Sequence, residues 1–339
     1  MICSIVPPAI LRALAANSAR SGDVADAARR TLERTRVLAA EREGAPAGRP
    51  AGDGRAAGHA PHRLVCDEHG GTMLPGAALR AEGAAPSGDA AADAAYDAAG
   101  LAYRYFSEVH GRDSIDGRGM RLLSSVHYDR QFDNAFWNGR QMVYGDGDGV
   151  IFGNFTTCLD VIGHELAHGV TQHECGFAYA GQSGALNESV SDVFGSLLKQ
   201  WHLGQSAADA DWLIGAGLFI APGLRALRSL RAPGHAYDSP LLGGKDPQPH
   251  HMRDYVETSL DGGGVHLNSG IPNHAFYLAA HAAGGNAWET IGPAWYAAIR
   301  GPLSPHATFA DFAVATVAAA GTHAAVVRHA WTTVGVPVA

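Results

Sequence analysis

Cysteine is scarce in this chain and follows no pattern. Cys3, Cys66, Cys158 and Cys175 form neither a disulfide framework nor a paired CxxC zinc knuckle. A reduced compartment is slightly favoured, though a disulfide-free secreted protein is also compatible. Long apolar runs are missing too, since even residues 212–222 are too few to cross a bilayer, so no membrane span is expected. The opening residues, MICSIVPPAILRAL, lack the basic start, long apolar core and small-residue cleavage site of a signal peptide. The expectation is a cytoplasmic protein, or one secreted by a route without a recognisable signal peptide. Positive charge is also short. A formal charge of −8 leaves no broad footprint for nucleic acid.

What is present is core material. With 339 residues, 46% of them hydrophobic, the chain can bury substantial apolar layers. Three blocks are visible: residues 1–60, 61–180 and 181–339. The first holds an Ala/Arg/Glu-rich stretch at 18–43, with Val24, Ala27, Ala28, Leu32, Thr35 and Leu38 at helical spacing. Before it, the Pro-Pro pair predicts extended or turning backbone over 5–11. After it, Gly, Pro, Ala and Arg over 44–61 predict a flexible, easily cut linker. The second block predicts a helix over 90–110 and strands over 122–128, 136–144 and 150–155, with 145–149 (GDGDG) read as a plain turn rather than a calcium loop. The third is helical, with helices expected over 186–201, 272–283, 287–299, 308–320 and 324–334, following one over 159–175.

The chemistry concentrates in Val161-Ile-Gly-His-Glu-Leu-Ala-His-Gly-Val170. Positions i and i+4 share a helix face, so His164 and His168 present two imidazoles at a spacing that suits one tetrahedral metal ion. Glu165 lies about 100° around the helix, where it can reach a metal-bound water without ligating the metal. One helix downstream, Asn187-Glu-Ser-Val-Ser-Asp192 offers Glu188 as a third ligand, with Asp192 behind it on the same face to orient a histidine.

His164-Glu165-Leu-Ala-His168, with Glu188 twenty residues further on in GALNESVSD, resembles the thermolysin family of zinc endopeptidases. Asp133-Asn-Ala-Phe-Trp-Asn-Gly139, Ala226-Leu-Arg-Ser229 and Asp261-Gly-Gly-Gly-Val-His-Leu-Asn-Ser-Gly270 agree with it in order. The short Pro-Pro leader is similar to that of the protealysin-type subgroup. The resemblance implies an α+β, two-lobed zincin, with a strand-rich N-terminal lobe, a helical C-terminal lobe and one catalytic zinc ion in the cleft between them.

The resemblance also implies roles. His164, His168 and Glu188 would bind zinc, and Glu165 would be the general base. His266, oriented by Asp261, and Tyr179 would stabilise the oxyanion. Asn187 and Asp192 would support His168 and His164. Asn134 and Ala135 would hold the substrate backbone as an added strand, and Arg228 its carbonyl on the leaving side. Phe152, Phe155, Val161, Ile214 and Leu227 would line an apolar pocket there, so cleavage is expected on the N-terminal side of bulky hydrophobic residues in protein and peptide substrates. The leader would be an intramolecular inhibitor, making the chain a latent precursor. Calcium is doubtful, because among the positions matching thermolysin's paired-calcium carboxylates only Asp160 and Asp211 are acidic, while Lys199, Leu213 and Ala216 are not. The Lys199 ammonium is expected where a calcium would sit. The rival readings are a zinc-holding binding partner without turnover, which would not need Glu165, Tyr179 and His266, and an aminopeptidase, for which no matched motif supplies an acidic group to hold a free amine.

Overall fold

The computed structural model describes residues 3–17, 22–43 and 60–338. The linker expected over 44–61 therefore lies outside the described residues, apart from its last two positions. A six-stranded mixed sheet forms one layer. Its strands are β1 (Cys3–Ser4), β2 (Arg63–Asp67), β3 (Ala77–Ala81), β4 (Leu122–Val126), β5 (Ala135–Trp137) and β6 (Met142–Tyr144), in the order β1-β5-β6-β4-β2-β3. β2, β4 and β6 run parallel, and β3, β5 and β1 pair antiparallel with their neighbours. The edge strand β1 is thus the front of the chain, laid beside residues more than a hundred positions away.

Two further pieces of the N-terminal block dock on the body. Helix α1 (Pro8–Ala16) buries Ile10, Leu11 and Leu14, and α2 (Gly22–Glu43) buries Val24, Ala27, Ala28 and Leu38. Extended backbone was expected through residue 11, but the helix already starts at Pro8. Proline suits a first helical position, because its fixed φ fits and its missing N–H would be unpaired there anyway.

Helix α3 (Ala90–His110) packs against the sheet, capped by the Asp89 side chain and ended by Gly111 in the left-handed region. It leads to the central pair, α4 (Leu159–His173) and α5 (Gly181–Leu203). These two approach closely because both are bare of side chain where they meet. A Cβ at Gly195 would lie 2.4 Å from the Asp160 carbonyl oxygen, and one at Gly163 would lie 3.0 Å from the Gly195 Cα. After α5 come the short pair β7 (Leu213–Ile214) and β8 (Arg228–Ser229), then α6 (Asp261–Asn268), α7 (Gly270–Ala283), α8 (Ala287–Thr290), α9 (Gly292–Arg300), α10 (Phe309–Ala319) and α11 (Ala324–Thr333). Trp295 and Trp331 stack with ring centroids 6.0 Å apart at the centre of this helical half. No described helix is long and apolar enough to cross a membrane.

The structure departs from the sequence expectations at turns. The strand expected over 136–144 is a hairpin, because Asn138 Oδ1 accepts from the N–H groups of Arg140 and Gln141 and folds the chain back. The strand expected over 150–155 does not form. Asp148 Oδ1 accepts from the N–H groups of Val150, Ile151 and Phe152, which leaves one isolated bridge between Phe152 and Phe219. The helix expected over 287–299 breaks at Ile291, before the proline that opens α9.

Candidate active site

The close crossing of α4 and α5 brings His164, His168 and Glu188 together, with ligand atoms all within 4.8 Å of one another. All three side chains are buried. His164 Nδ1 lies 2.8 Å from Asp192 Oδ1, and His168 Nδ1 lies 2.8 Å from Asn187 Oδ1. Both partners are acceptors, so each imidazole carries its proton on Nδ1 and presents a bare Nε2. These two lone pairs face each other at 2.9 Å, and each Nε2 is 3.5 Å from a Glu188 oxygen. Three acceptors converging on one point fit a cation. Two imidazoles and one carboxylate suit zinc, with a fourth position left for water. Burial holds His164 near pKa 4 and His168 near 3, so both are neutral and ready to ligate.

Glu165 points into the same space from one position along α4. Its Oε2 accepts from the Trp137 N–H at 2.9 Å, and its buried Oε1 has no donor. Burial first, and then the charge of Glu188, raise its pKa well above the usual carboxyl range. A dication here would offset the Glu188 contribution.

On the far wall, Asp261 to Gly264 form a left-handed turn with φ between 55° and 89°. Only glycine enters that region without strain, and three of the four residues are glycine. The turn aims Asp261 at His266, so one carboxylate oxygen accepts the His266 N–H at 3.0 Å and the other lies 2.7 Å from Nδ1. Burial opposes charge on this ring, but Asp261 and Glu188 outweigh it and raise its pKa to about 9. Nε2 is then a donor, 3.4 Å from Tyr179 Oη, and the Tyr179 hydroxyl also donates to Glu188.

Arg228 was expected to serve substrate alone, yet it does more. Its Nε and Nη2 grip both oxygens of Asp192 at 2.8 Å, while Asn273 donates to the same carboxylate at 2.8 Å. Arg228 and Asp192 thus form a buried, bidentate pair behind His164. The pair holds the Asp192 carboxyl below its usual range against the opposing effect of burial. Neither Asn273 nor this second use of Arg228 was legible in the sequence, since nothing in the spacing links positions 192, 228 and 273. Ser191, whose Oγ lies 2.9 Å from His168 Nδ1, sits next to Asp192 on α5 and was also missed.

The five apolar residues expected to line a pocket, Phe152, Phe155, Val161, Ile214 and Leu227, are all buried in one cluster. Val161 is one helical turn before Glu165, and Ile214 pairs with Arg228 across β7 and β8. The cleft beside them is filled by the front of the chain itself. Ile5 N–H donates to Ala135 O at 3.2 Å, and Val6 N–H donates to Asn134 Oδ1 at 3.0 Å. Arg228 Nη1 donates to Ile5 O at 2.9 Å, and Ser4 O lies 3.0 Å from His266 Nε2. Lys199, finally, sits between Asp160 at 2.8 Å and Asp211 at 3.0 Å, and donates to Leu213 O at 2.8 Å.

Residues 76–172 match the model of the thermolysin metallopeptidase catalytic domain, and residues 175–336 match that of the thermolysin metallopeptidase alpha-helical domain. The chain is 47% identical to an extracellular metalloprotease of Pectobacterium carotovorum subsp. carotovorum, over 99% of this chain and 97% of that one. It is 49% identical to Protease PrtS of Photorhabdus sp. (strain Az29), over 76% of this chain and 70% of that one. Among solved structures, the precursor of protealysin, a metalloproteinase from Serratia proteamaculans, superposes with a TM-score of 0.89 at 48% identity. That match covers 99% of this chain and 100% of that one. On these matches the chain belongs to the thermolysin family of zinc metallopeptidases, on its protealysin-like side.

Proposed function

We propose that this zinc metalloendopeptidase hydrolyses proteins and peptides on the N-terminal side of bulky hydrophobic residues, and that residues 1–60 keep it latent until they are removed. The observation that carries the reading is Glu165. A buried carboxylate with an unpartnered oxygen, set beside three converging metal-binding acceptors, suits a base and does not suit a scaffold. His164, His168 and Glu188 would hold zinc, which when bound polarises the substrate carbonyl and lowers the pKa of its water to roughly 7. Glu165 would take a proton from the attacking water and deliver it to the leaving amine. His266 and Tyr179 donate to the oxygen that becomes negative, and Asp261 keeps the His266 ring aimed. Asn134 and Ala135 receive the substrate as an added strand, Arg228 binds the carbonyl beyond the cut, and the apolar cluster takes the side chain there. Residues 61–180 and 181–339 would form the two walls of this cleft.

Latency is supported by what the N-terminal segment touches. Ser4, Ile5 and Val6 use Ala135, Asn134, Arg228 and His266, the groups that a substrate would need. The relative named extracellular supports action outside the cell. An internally quenched peptide blocked at both ends, with a central Gly-Leu bond, tests the activity. The mature enzyme should cut it before Leu, and Glu165→Gln should bind zinc with the same stoichiometry yet leave it whole. Cleavage confined to peptides with a free amino terminus would overturn the endopeptidase reading.

A further inference from the structure

We propose that the chain hydrolyses its own peptide bond between Ser4 and Ile5, a processing site separate from any cut within residues 44–60. The proposal rests on the endopeptidase reading above. The front of the chain lies in the cleft in the register that places this one bond at the reacting centre. β1 runs antiparallel to β5, with Cys3 opposite Trp137 and Ser4 opposite Phe136. Around the bond, the Ser4 carbonyl oxygen meets the His266 donor at 3.0 Å. On the other side of the bond, the Ile5 N–H is held by Ala135 O at 3.2 Å and the Ile5 carbonyl by Arg228 at 2.9 Å. One residue on, the Val6 N–H is fixed by Asn134 Oδ1 at 3.0 Å. A shift by one residue would place a different carbonyl at His266 and break this whole set.

The residue after the bond has the right chemistry as well. Ile5 is bulky, apolar and wholly buried. Glu165 is anchored to the N–H of Trp137, the residue that pairs with Cys3 just before the bond. A cavity of about 180 Å³, lined in part by Ser4, Val6, Tyr179, Asp261 and His266, lies alongside. In the step, a water oxygen bonds to the Ser4 carbonyl carbon while Glu165 takes the water's proton. The C–N bond to Ile5 then breaks, and Glu165 returns that proton to the Ile5 nitrogen. The products are a front fragment ending in the Ser4 carboxylate and a chain beginning at Ile5. No oxidant or further reactant is needed.

The two products are held very unequally. The described part of the front fragment has two paired residues, whereas Ile5 onward is anchored through α1 and α2 by Ile10, Leu11, Leu14 and Val24. The front fragment therefore leaves and the rest stays, which draws the hydrolysis forward. Asn134 and Arg228 keep hold of the new terminus, so the trimmed chain remains latent.

The test follows the intact mass of full-length, chelator-treated chain after zinc is added, alongside casein digestion by the mature form. The expected result is a product beginning at Ile5 that forms at a rate independent of protein concentration. It should be absent from Glu165→Gln and slowed about 10- to 100-fold in Ile5→Ala, because methylene groups are lost from an apolar pocket. If casein is digested while the N-terminal piece left by linker cutting still carries residues 1–4, this proposal is overturned and the endopeptidase reading stands. If the mature form cuts neither casein nor the blocked peptide, both fall.

Discussion

The His164 and His168 nitrogens, 2.9 Å apart with no proton between them, define the demand that the rest of the site meets. Glu165 is the residue on which turnover should depend without affecting that demand. Glu165→Gln should lower kcat by about 10²–10⁴, the range of a lost general base, with zinc content unchanged by metal analysis. His164→Ala should lose both zinc and activity. Lys199 makes a second residue-scale prediction. Its ammonium lies between Asp160 and Asp211, so Lys199→Ala would strand a buried Asp160 carboxylate and cost about 3–5 kcal/mol in denaturant unfolding. With Lys199 in place, Tm of the zinc-loaded enzyme should barely differ between excess calcium and a calcium-selective chelator. A rise of many degrees with calcium would refute the substitution of ammonium for metal.

Asp133 offers a third. It is fully buried, neither of its oxygens has a donor of good geometry, and its own N–H donates to Thr31 of α2 at 3.0 Å. Burial, followed by the charge of Asp148, raises its pKa to about 8. Unfolded, the same carboxyl titrates near 4. Between those values the folded chain binds the extra proton, so Asp133 makes stability fall as pH rises from about 4 to about 8, by at most about 1.4 kcal/mol per unit. In a Glu165→Gln background that prevents self-cutting, Asp133→Asn should flatten this slope between pH 5 and pH 8 in urea titrations. An unchanged slope would place the proton elsewhere.

At the scale of elements, the crossing of α4 and α5 decides whether three ligands converge at all. A Cβ at Gly195 would meet the Asp160 carbonyl at 2.4 Å, so the helices must separate to accept it. Gly195→Ala should cost about 1–3 kcal/mol by overpacking. It should also weaken zinc binding in a chelator competition, whereas a purely local effect would leave affinity unchanged. The same elements explain what was legible in the sequence. The i, i+4 histidines and the glutamate a helix later can be read directly, because helical geometry converts spacing into position. Turn chemistry was harder to read. Asn138 folds what looked like one strand into β5 and β6, and Asp148 gathers three N–H groups that a strand would have used. The Pro-Pro stretch reads as extended or turning backbone, although Pro8 begins α1. The pairing of Arg228 with Asp192 left no trace, since only the folded chain brings positions 36 apart into contact.

For the whole molecule, the N-terminal helices share one core with the body. Val24 and Ala28 of α2, with Leu11 and Leu14 of α1, belong to the same apolar cluster as the zinc helices, and Leu38 packs with Tyr128, Phe132 and Phe136. Cutting the linker alone should therefore leave the cut chain inactive while its two pieces stay associated. Activity toward the quenched peptide should appear on dilution or under mild urea, as the helices dissociate. Full activity at the moment of cutting, with the pieces still together by gel filtration, would refute this.

If the proposed latency holds, the pairing of β1 with β5 also places in time the event that would silence the enzyme. The first residues leave the ribosome before any of their partners exist. Ala135 follows about 130 residues behind Ile5, then Arg228, and His266 lags Ser4 by 262 positions. At a synthesis rate of roughly 5–20 residues per second, the front strand waits on the order of 10–50 s for its full set of contacts. Such long-range pairing is slow to form, because loop closure must precede any gain. On that reading each newborn molecule would complete its catalytic groups and its restraint together, at the end of folding, and the ribosome would never carry a finished but unrestrained cleft.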